Sequence, residues 1–222
     1  MKLLIGEIKD ETARRFLSER FETVTVPPLP VAEPIKQHVD TGLFASDGIY
    51  VCEPSVYGFY SGIIPRVICG KASVSEKYPR DTAYNAFSVC KTLVCKKDAA
   101  DETLLSLFSN SVSVKQGYAK CSTVVVSENA VISSDRSICA ACRKLGADVL
   151  FAGNEGVLLT GYDTGFLGGA TAVTKDCVLF FGDIRTRKDC KEICAFISKH
   201  GKKVVYIPDT PLYDYGSPVI LD

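Results

Sequence analysis

A cysteine that follows a lysine is the best candidate nucleophile in this sequence. Cys121 comes directly after Lys120 and precedes the β-branched run Ser122-Thr123-Val124-Val125-Val126. A nearby ammonium group can lower the pKa of a thiol and so populate the reactive thiolate. We therefore predict that Cys121 is a catalytic nucleophile. The alternative is a half-buried thiol that only packs, which is the commoner role of a cysteine.

Only two histidines could supply an imidazole for general acid or base catalysis. His200 lies at the end of a predicted helix, where a histidine commonly complements the helix dipole. His38 lies in the segment His38-Val39-Asp40, so a proton carrier and a carboxylate that could hold a cation are two residues apart. A purely structural role for His38 at the start of a strand is the alternative.

Two cysteine pairs have spacings that could serve other chemistry. Cys139 and Cys142 have the spacing of a redox motif, but Cys139 lies well inside a predicted helix without a thioredoxin-like context. Cys190 and Cys194 could bind a metal, yet no further histidine or cysteine in that segment completes a tetrahedral set. We therefore expect no metal and no cofactor, and reduced, mostly buried thiols.

The composition is that of an ordinary globular protein. Hydrophobic residues make up 46% of the 222 residues, charged residues 23%, and the formal net charge is zero. Without a basic block, we expect no nucleic-acid partner. Charge returns at Glu7 after the apolar start, and no run is long enough to span a bilayer, so we expect a cytoplasmic protein without a membrane partner.

The elements that must position the candidate side chains recur roughly every 40 to 50 residues. In the clearest copy, residues 122–126 and 130–132 form two strands joined by a turn at 127–129. A helix over 136–145 and a strand over 147–151 complete a ββαβ unit. Further first strands are predicted at 43–45, 86–89, 170–173 and 218–221.

The last copy is divided between the two ends of the chain. Residues 218–221 supply its first strand, 2–5 its second, 11–20 its helix and 23–26 its closing strand. The termini are therefore expected to pair and to close a ring without an open edge. The predicted fold is α/β, a five-bladed pseudo-symmetric propeller in one domain of residues 1–222. A doubly wound open sheet is the alternative. The irregular stretch 53–80 could cover a central pocket.

A ring of five ββαβ units resembles the pentein fold of guanidino-modifying enzymes, which include arginine deiminases, dimethylarginine hydrolases and amidinotransferases. The segment His38-Val39-Asp40-Thr41-Gly42-Leu43-Phe44 is similar to the His-x-Asp motif that supplies their catalytic histidine. The stretches 116–122 and 165–169 look like an uncharacterised branch of this superfamily.

The resemblance implies that the starts of the units face a central polar pocket, where this chain has Asp40, Asn85, Cys121, Gly169 and Ser217. The family's nucleophilic cysteine begins its last unit, where Ser217 stands here, and only the glycines of its Glu-Gly-Gly-Asp stretch are matched. We assign catalysis to Cys121, His38 and Asp40. We assign substrate binding to Asn85, Lys120, Ser122, Gly168, Gly169, Ser217 and Asp81.

The predicted function is that of a hydrolase or transferase acting on a guanidino or amidino small molecule by thiol covalent catalysis. One alternative is a non-catalytic module that binds a small molecule in the same pocket. Another is an interaction protein, like the ribosome anti-association factor that shares the fold.

Overall fold

The computed structural model describes residues 1–221 and has a mixed α/β fold built from small sheets. Within these residues, five sheets have three strands each and a sixth has two. In each three-stranded sheet the middle strand pairs antiparallel with the first strand and parallel with the third. A parallel pair needs a crossover, and the chain supplies it with the segment that contains the helix of each unit.

The elements follow in chain order. The unit that is divided between the ends of the chain contains β1 (Lys2–Ile5), α1 (Glu11–Ser18) and β2 (Glu22–Thr25). The next unit contains α2 (Val39–Gly42), β3 (Leu43–Ser46), β4 (Ile49–Cys52), α3 (Tyr57–Ser61) and β5 (Ile68–Cys69). It is followed by β6 (Phe87–Val89), β7 (Thr92–Cys95), α4 (Glu102–Ser106) and β8 (Ser111–Ser113).

The second half of the chain continues the pattern. One unit contains β9 (Thr123–Ser127), β10 (Ala130–Ser133), α5 (Arg136–Lys144) and β11 (Asp148–Phe151). After β12 (Val157–Leu158), the next contains β13 (Thr171–Val173), β14 (Cys177–Phe180), α6 (Cys190–Lys199) and β15 (Lys203–Tyr206). The chain then forms β16 (Leu212–Tyr213), which pairs with β12, and β17 (Val219–Leu221), the first strand of the divided unit.

The two ends of the chain are paired. Strand β17 runs antiparallel to β1, with Leu3 opposite Ile220 and Lys2 opposite Leu221. On its other side, β1 pairs in parallel with β2. The sheets nevertheless stay separate, and none of those in residues 1–221 closes on itself.

The first strands of the five units lie side by side in chain order. Strand β3 contacts β6, β6 contacts β9, β9 contacts β13, and β13 contacts β17. The middle strands are almost fully buried, as in Leu3, Leu4 and Ile5 of β1, because they are covered on both faces. The turns that precede the first strands are thereby brought to one place.

The start, buried face and end of helix α5 are each determined by its local sequence. Asp135 caps its start by accepting a hydrogen bond from the backbone N–H of Ile138 at 2.9 Å. Its buried face carries Ile138, Cys139 and Cys142. The helix ends at Lys144, just before Gly146, whose φ of +87° favours glycine.

Some short elements were not predicted. The first strand of the second unit begins at Leu43, as expected, but the helical turn α2 precedes it. The stretch 53–80, expected to be irregular, contains α3 and β5, which complete the second unit. The parallel pair of β12 and β16 was not predicted, because strands of two residues carry no periodic signal.

No helix in the described part of the chain is long and apolar enough to cross a membrane. All ten cysteines have free thiols, but only five of them are buried. The expectation of mostly buried thiols is therefore correct for only half of them.

Candidate functional site

The turns that begin the five units meet at one point of the structure. The backbone N–H of Gly169 donates to the carbonyl of Cys121 at 2.8 Å, and that of Ser217 donates to the carbonyl of Gly169 at 3.1 Å. The side chain of Asn85 accepts a hydrogen bond from the N–H of Cys121 at 3.2 Å, and the thiol of Cys121 contacts Asp40. The predicted set of unit starts is thus contiguous.

The thiol, the carboxylate and the imidazole form one cluster. The Sγ of Cys121 donates a hydrogen bond to Oδ2 of Asp40 at 2.7 Å. One potential ligand atom from each of His38, Asp40 and Cys121 lies within 4.8 Å of the other two. All three residues are buried, with exposed fractions of 7%, 3% and 2%. A nucleophile, a proton acceptor and a proton carrier are therefore within reach of one small group.

Asn85 fixes the position of the thiol. Its Oδ1 accepts hydrogen bonds from the backbone N–H groups of Lys120 at 2.8 Å and Cys121 at 3.2 Å. Its Nδ2 lies 3.6 Å from Sγ of Cys121, on the donor side. An amide that holds both the backbone and the sulfur of one residue leaves that side chain little freedom.

Asp214 is a second buried carboxylate at the site. Its Oδ1 lies 3.9 Å from Nδ1 of His38, and its two oxygens accept the backbone N–H groups of Gly216 and Phe166 at 2.9 and 2.8 Å. A Cβ on Gly169 would collide with the carboxylate of Asp214, so only glycine fits there. Glycine is also required at position 216, where φ is +69° and a Cβ would meet His38.

Burial shapes the ionisation of the cluster. It raises the pKa of the Cys121 thiol well above its usual value, and the negative charges of Asp40 and Asp214 raise it further. The prediction of a lowered pKa for Cys121 is therefore wrong, because desolvation and the two carboxylates both raise it. Burial likewise raises the pKa of Asp40, and raises the pKa of Asp214 to about 6.

Burial has the opposite effect on the pKa values of the two basic groups. Burial lowers the pKa of His38, although Asp40 and the backbone of Asp214 favour its charged form. Burial also lowers the pKa of Lys120, against the attraction of Asp40, Cys121 and Asp214. The cluster without a ligand therefore holds a protonated thiol and a neutral imidazole near neutral pH.

Two cavities are lined by residues of the site or their neighbours. One, of about 210 Å³, is lined by His38 and Asp214 together with Glu7, Gln37 and Tyr213. The other, of about 290 Å³, is lined by Lys120 and Ser217. A small molecule in the first cavity would contact the imidazole of His38 and the carboxylate of Asp214.

A protein-family model described as "Family of unknown function (DUF6873)" matches residues 4–219. The chain belongs to this family. No curated protein matches the sequence.

Solved structures show the fold of this DUF6873 member. It is similar to a dimethylarginine dimethylaminohydrolase adduct with S-methyl-L-thiocitrulline, at 8% identity and a TM-score of 0.55 over 93% of this chain and 92% of the other. For dimethylarginine dimethylaminohydrolase from Pseudomonas aeruginosa, complexed with citrulline, the identity is 9% and the TM-score 0.55, over 93% of this chain and 91% of the other. For agmatine deiminase from C. jejuni, the identity is 8% and the TM-score 0.53, over 95% of this chain and 90% of the other. These are pentein-fold enzymes, so the resemblance to that fold is confirmed.

The remaining predicted binding residues of this DUF6873 chain lie around the cluster in different ways. Ser217 donates from Oγ to the carbonyl of Gly168 at 3.4 Å, and its hydroxyl also acts on Asp40, whose pKa it lowers. Ser122 is buried, and its Oγ has no hydrogen-bond partner among residues 1–221. Asp81 is buried, and the hydroxyl of Tyr118 donates to its carboxylate. Within residues 1–221, its side chain makes no hydrogen bond with His38, Asp40 or Cys121.

Asp214 is a site residue that the sequence analysis did not predict. An aspartate next to a strand or turn more commonly caps that element, so its type and position alone do not indicate a site. The available signal was the dipeptide Gly168-Gly169, because a glycine without room for a Cβ marks a close neighbour. That neighbour is the Asp214 carboxylate.

Proposed function

We propose that the five units surround the Cys121 site as a five-bladed ring in one domain of residues 1–222. We further propose that the chain is a hydrolase or transferase acting on a guanidino or amidino small molecule. Three observations support the ring: the repeated strand order, the adjacency of the first strands, and the pairing of β17 with β1. The observation that carries the activity is the contact of Cys121 with Asp40 beside His38.

The carboxylates suit a cationic substrate. Burial of Asp40 and Asp214 favours their neutral forms, and a planar guanidinium bound between them would restore their charges. The same cation would favour the thiolate of Cys121, since an opposite charge nearby lowers the pKa of a thiol. The substrate would thus activate its own nucleophile.

The reaction would proceed in two steps. Asp40 Oδ2, which accepts the thiol hydrogen bond, takes the proton of Cys121 as sulfur attacks the central carbon of the guanidinium. The C–S bond forms, the C–N bond to the leaving amine breaks, and that amine departs with the proton that Asp40 took from Cys121. Water, deprotonated by the neutral imidazole of His38, then attacks the same carbon. The C–S bond breaks, and the sulfur leaves as a thiol that takes its proton from the His38 imidazolium. An amine in place of water would make the reaction a transfer. A thiol nucleophile suits the reducing cytoplasm.

Turnover on a panel of guanidino and amidino compounds tests the proposal. Released amine or ammonia should appear together with a ureido product, and Cys121→Ser should abolish both. Cys69→Ser is the matched control, because Cys69 is an exposed thiol on β5 and does not begin a unit. Equal turnover by wild type and Cys121→Ser would refute the assignment of the nucleophile.

A non-catalytic binding module is the second candidate, favoured by the raised pKa of Cys121, which keeps the thiol protonated. Citrulline, which a similar structure contains, is a suitable probe. A binding module would show a ligand-dependent rise in melting temperature with no turnover of any compound in the panel.

A further inference from the structure

Three different donor atoms converge at the centre of the structure. A ligand atom from each of His38, Asp40 and Cys121 lies within 4.8 Å of the others, and all three side chains are buried. We propose that these side chains form a binding site for one divalent cation of the zinc type. Imidazole nitrogen, carboxylate oxygen and thiolate sulfur together suit Zn²⁺, whereas Mg²⁺ and Ca²⁺ prefer ligand sets of oxygen alone.

An unpaired oxygen gives independent support. Oδ1 of Asp40 is buried and has no hydrogen-bond partner within the described residues. Its companion, Oδ2, is the acceptor for the Cys121 thiol. Buried carboxylate oxygens are normally paired, because desolvation without a partner costs free energy. A cation bound next to Cys121 would give Oδ1 a partner.

The geometry needs only a small adjustment. A tetrahedral zinc ion with sulfur at about 2.3 Å and oxygen at about 2.0 Å holds these two atoms about 3.5 Å apart. Sγ of Cys121 and Oδ2 of Asp40 are 2.7 Å apart, joined by the thiol proton. Exchanging that proton for a cation therefore requires these two atoms to separate by about 0.8 Å, or a change from Oδ2 to Oδ1 as the ligand. Ligand atoms of the cluster that are up to 4.8 Å apart would have to approach each other by up to about 1.3 Å. The thiol loses one proton, and the S–H bond is replaced by an S–Zn bond.

The surroundings match those of a metal site. Asp214 places its carboxylate 3.9 Å from Nδ1 of His38, and that carboxylate is fixed by two backbone N–H groups. Carboxylates beside a ligating histidine orient the ring and strengthen it as a ligand. Three protein ligands leave a fourth position, which would face the cavity of about 210 Å³ that His38 lines.

The expectation that the chain binds no metal was based on Cys190 and Cys194, and not on Cys121. Cys190 and Cys194 have their sulfurs 3.8 Å apart on α6. Among the described residues, however, they do not belong to a group of three potential ligands. The cluster at the unit starts is therefore the better site. It uses the same sulfur as the proposed catalysis but does not depend on catalysis.

Zinc binding to the metal-free protein tests this proposal without any substrate. Calorimetry should give one Zn²⁺ per chain with release of about one proton. Co²⁺ in place of Zn²⁺ should show the charge-transfer absorption of a cobalt thiolate. Cys121→Ser should lose that absorption and weaken zinc binding by at least about 100-fold, more than the effect of losing an outer partner. Asp40→Asn should weaken binding as well, which gives a second variant if the serine variant does not fold.

A Cys190→Ser, Cys194→Ser double variant is the matched control and should bind zinc like the wild type. The proposal is overturned if Cys121→Ser and Asp40→Asn keep full zinc affinity, if the double variant loses it, or if the wild type binds no zinc. Failure of the proposed enzymatic function gives a different result: zinc bound with normal stoichiometry, but no turnover of any guanidino compound by the metal-free protein.

Discussion

Replacing Asp40 with asparagine should make Cys121 more acidic and the protein less active. The thiol hydrogen-bonds to the carboxylate at 2.7 Å, and ionising it would place two negative charges at that distance. Their repulsion is between about 1.5 kcal/mol in water and about 6 kcal/mol at an effective dielectric constant of about 20. Burial raises the pKa of Asp40 and so disfavours its charge, which favours the lower figure. That figure corresponds to about tenfold more thiolate at a given pH.

The assay is alkylation of Cys121 with iodoacetamide as a function of pH, followed by mass spectrometry of the peptide. The exposed Cys69 provides the internal reference. In Asp40→Asn the midpoint of the pH profile should fall by about one unit, with the plateau rate at high pH unchanged. Asp81→Asn is the control, since Asp81 contacts Tyr118 rather than the thiol.

Turnover should change in the opposite direction, because the asparagine cannot take the proton of Cys121. A faster alkylation with a slower reaction would separate the electrostatic effect of Asp40 from its role as a base. The reasoning would be refuted if the midpoint of Asp40→Asn stayed at the wild-type pH or rose.

Three further changes test the surroundings of the site. Burial raises the pKa of Asp214 from 3.8 to about 6, so the folded state binds a proton more tightly than the unfolded state and stability falls as pH rises from about 4 to 6. In urea unfolding, Asp214→Asn should remove up to about 3 kcal/mol of this loss of stability. Parallel pH profiles of stability for the wild type and the variant would contradict the prediction. Gly169→Ala should cost about 1–3 kcal/mol in the same assay, because the new methyl group collides with Asp214, whereas Gly58→Ala, where nothing lies within 4 Å, should not destabilise the protein. Deleting residues 219–221 removes β17 and leaves an edge of β1 unpaired, so the cooperative transition should weaken or disappear; unchanged unfolding would argue against the divided unit.

The sequence predicts the repeated unit well wherever local preferences and burial agree. Strands β9 and β10 are β-branched and apolar, and α5 has a capping aspartate and a glycine stop, so each element can be recognised by itself. The division of one unit between the termini was also predictable, because two incomplete halves complement each other. Elements of two residues, such as β5, depend on tertiary pairing and leave no comparable pattern.

The convergence of the unit starts could be predicted from the sequence, but the electrostatics of the cluster could not. Asp40, Asn85 and Cys121 come together because each begins a unit, which is a property of the repeat. The pKa of Cys121 depends instead on how completely neighbouring units exclude water, and no local sequence encodes that. The place of Asp214 in the cluster could not be predicted for a similar reason, since it follows from the unpredicted pairing of β16 with β12.

The pairing of β1 with β17 has a consequence for synthesis on the ribosome. Within residues 1–221, strand β1 is made before every other strand, whereas its antiparallel neighbour is made after all of them. Ser217, which completes the group of unit starts, arrives equally late. Intermediate units can form as they are translated, yet β1 must wait with one edge open, exposed to chaperones or to other nascent chains. A circularly permuted gene that begins between two intact units would shorten that wait.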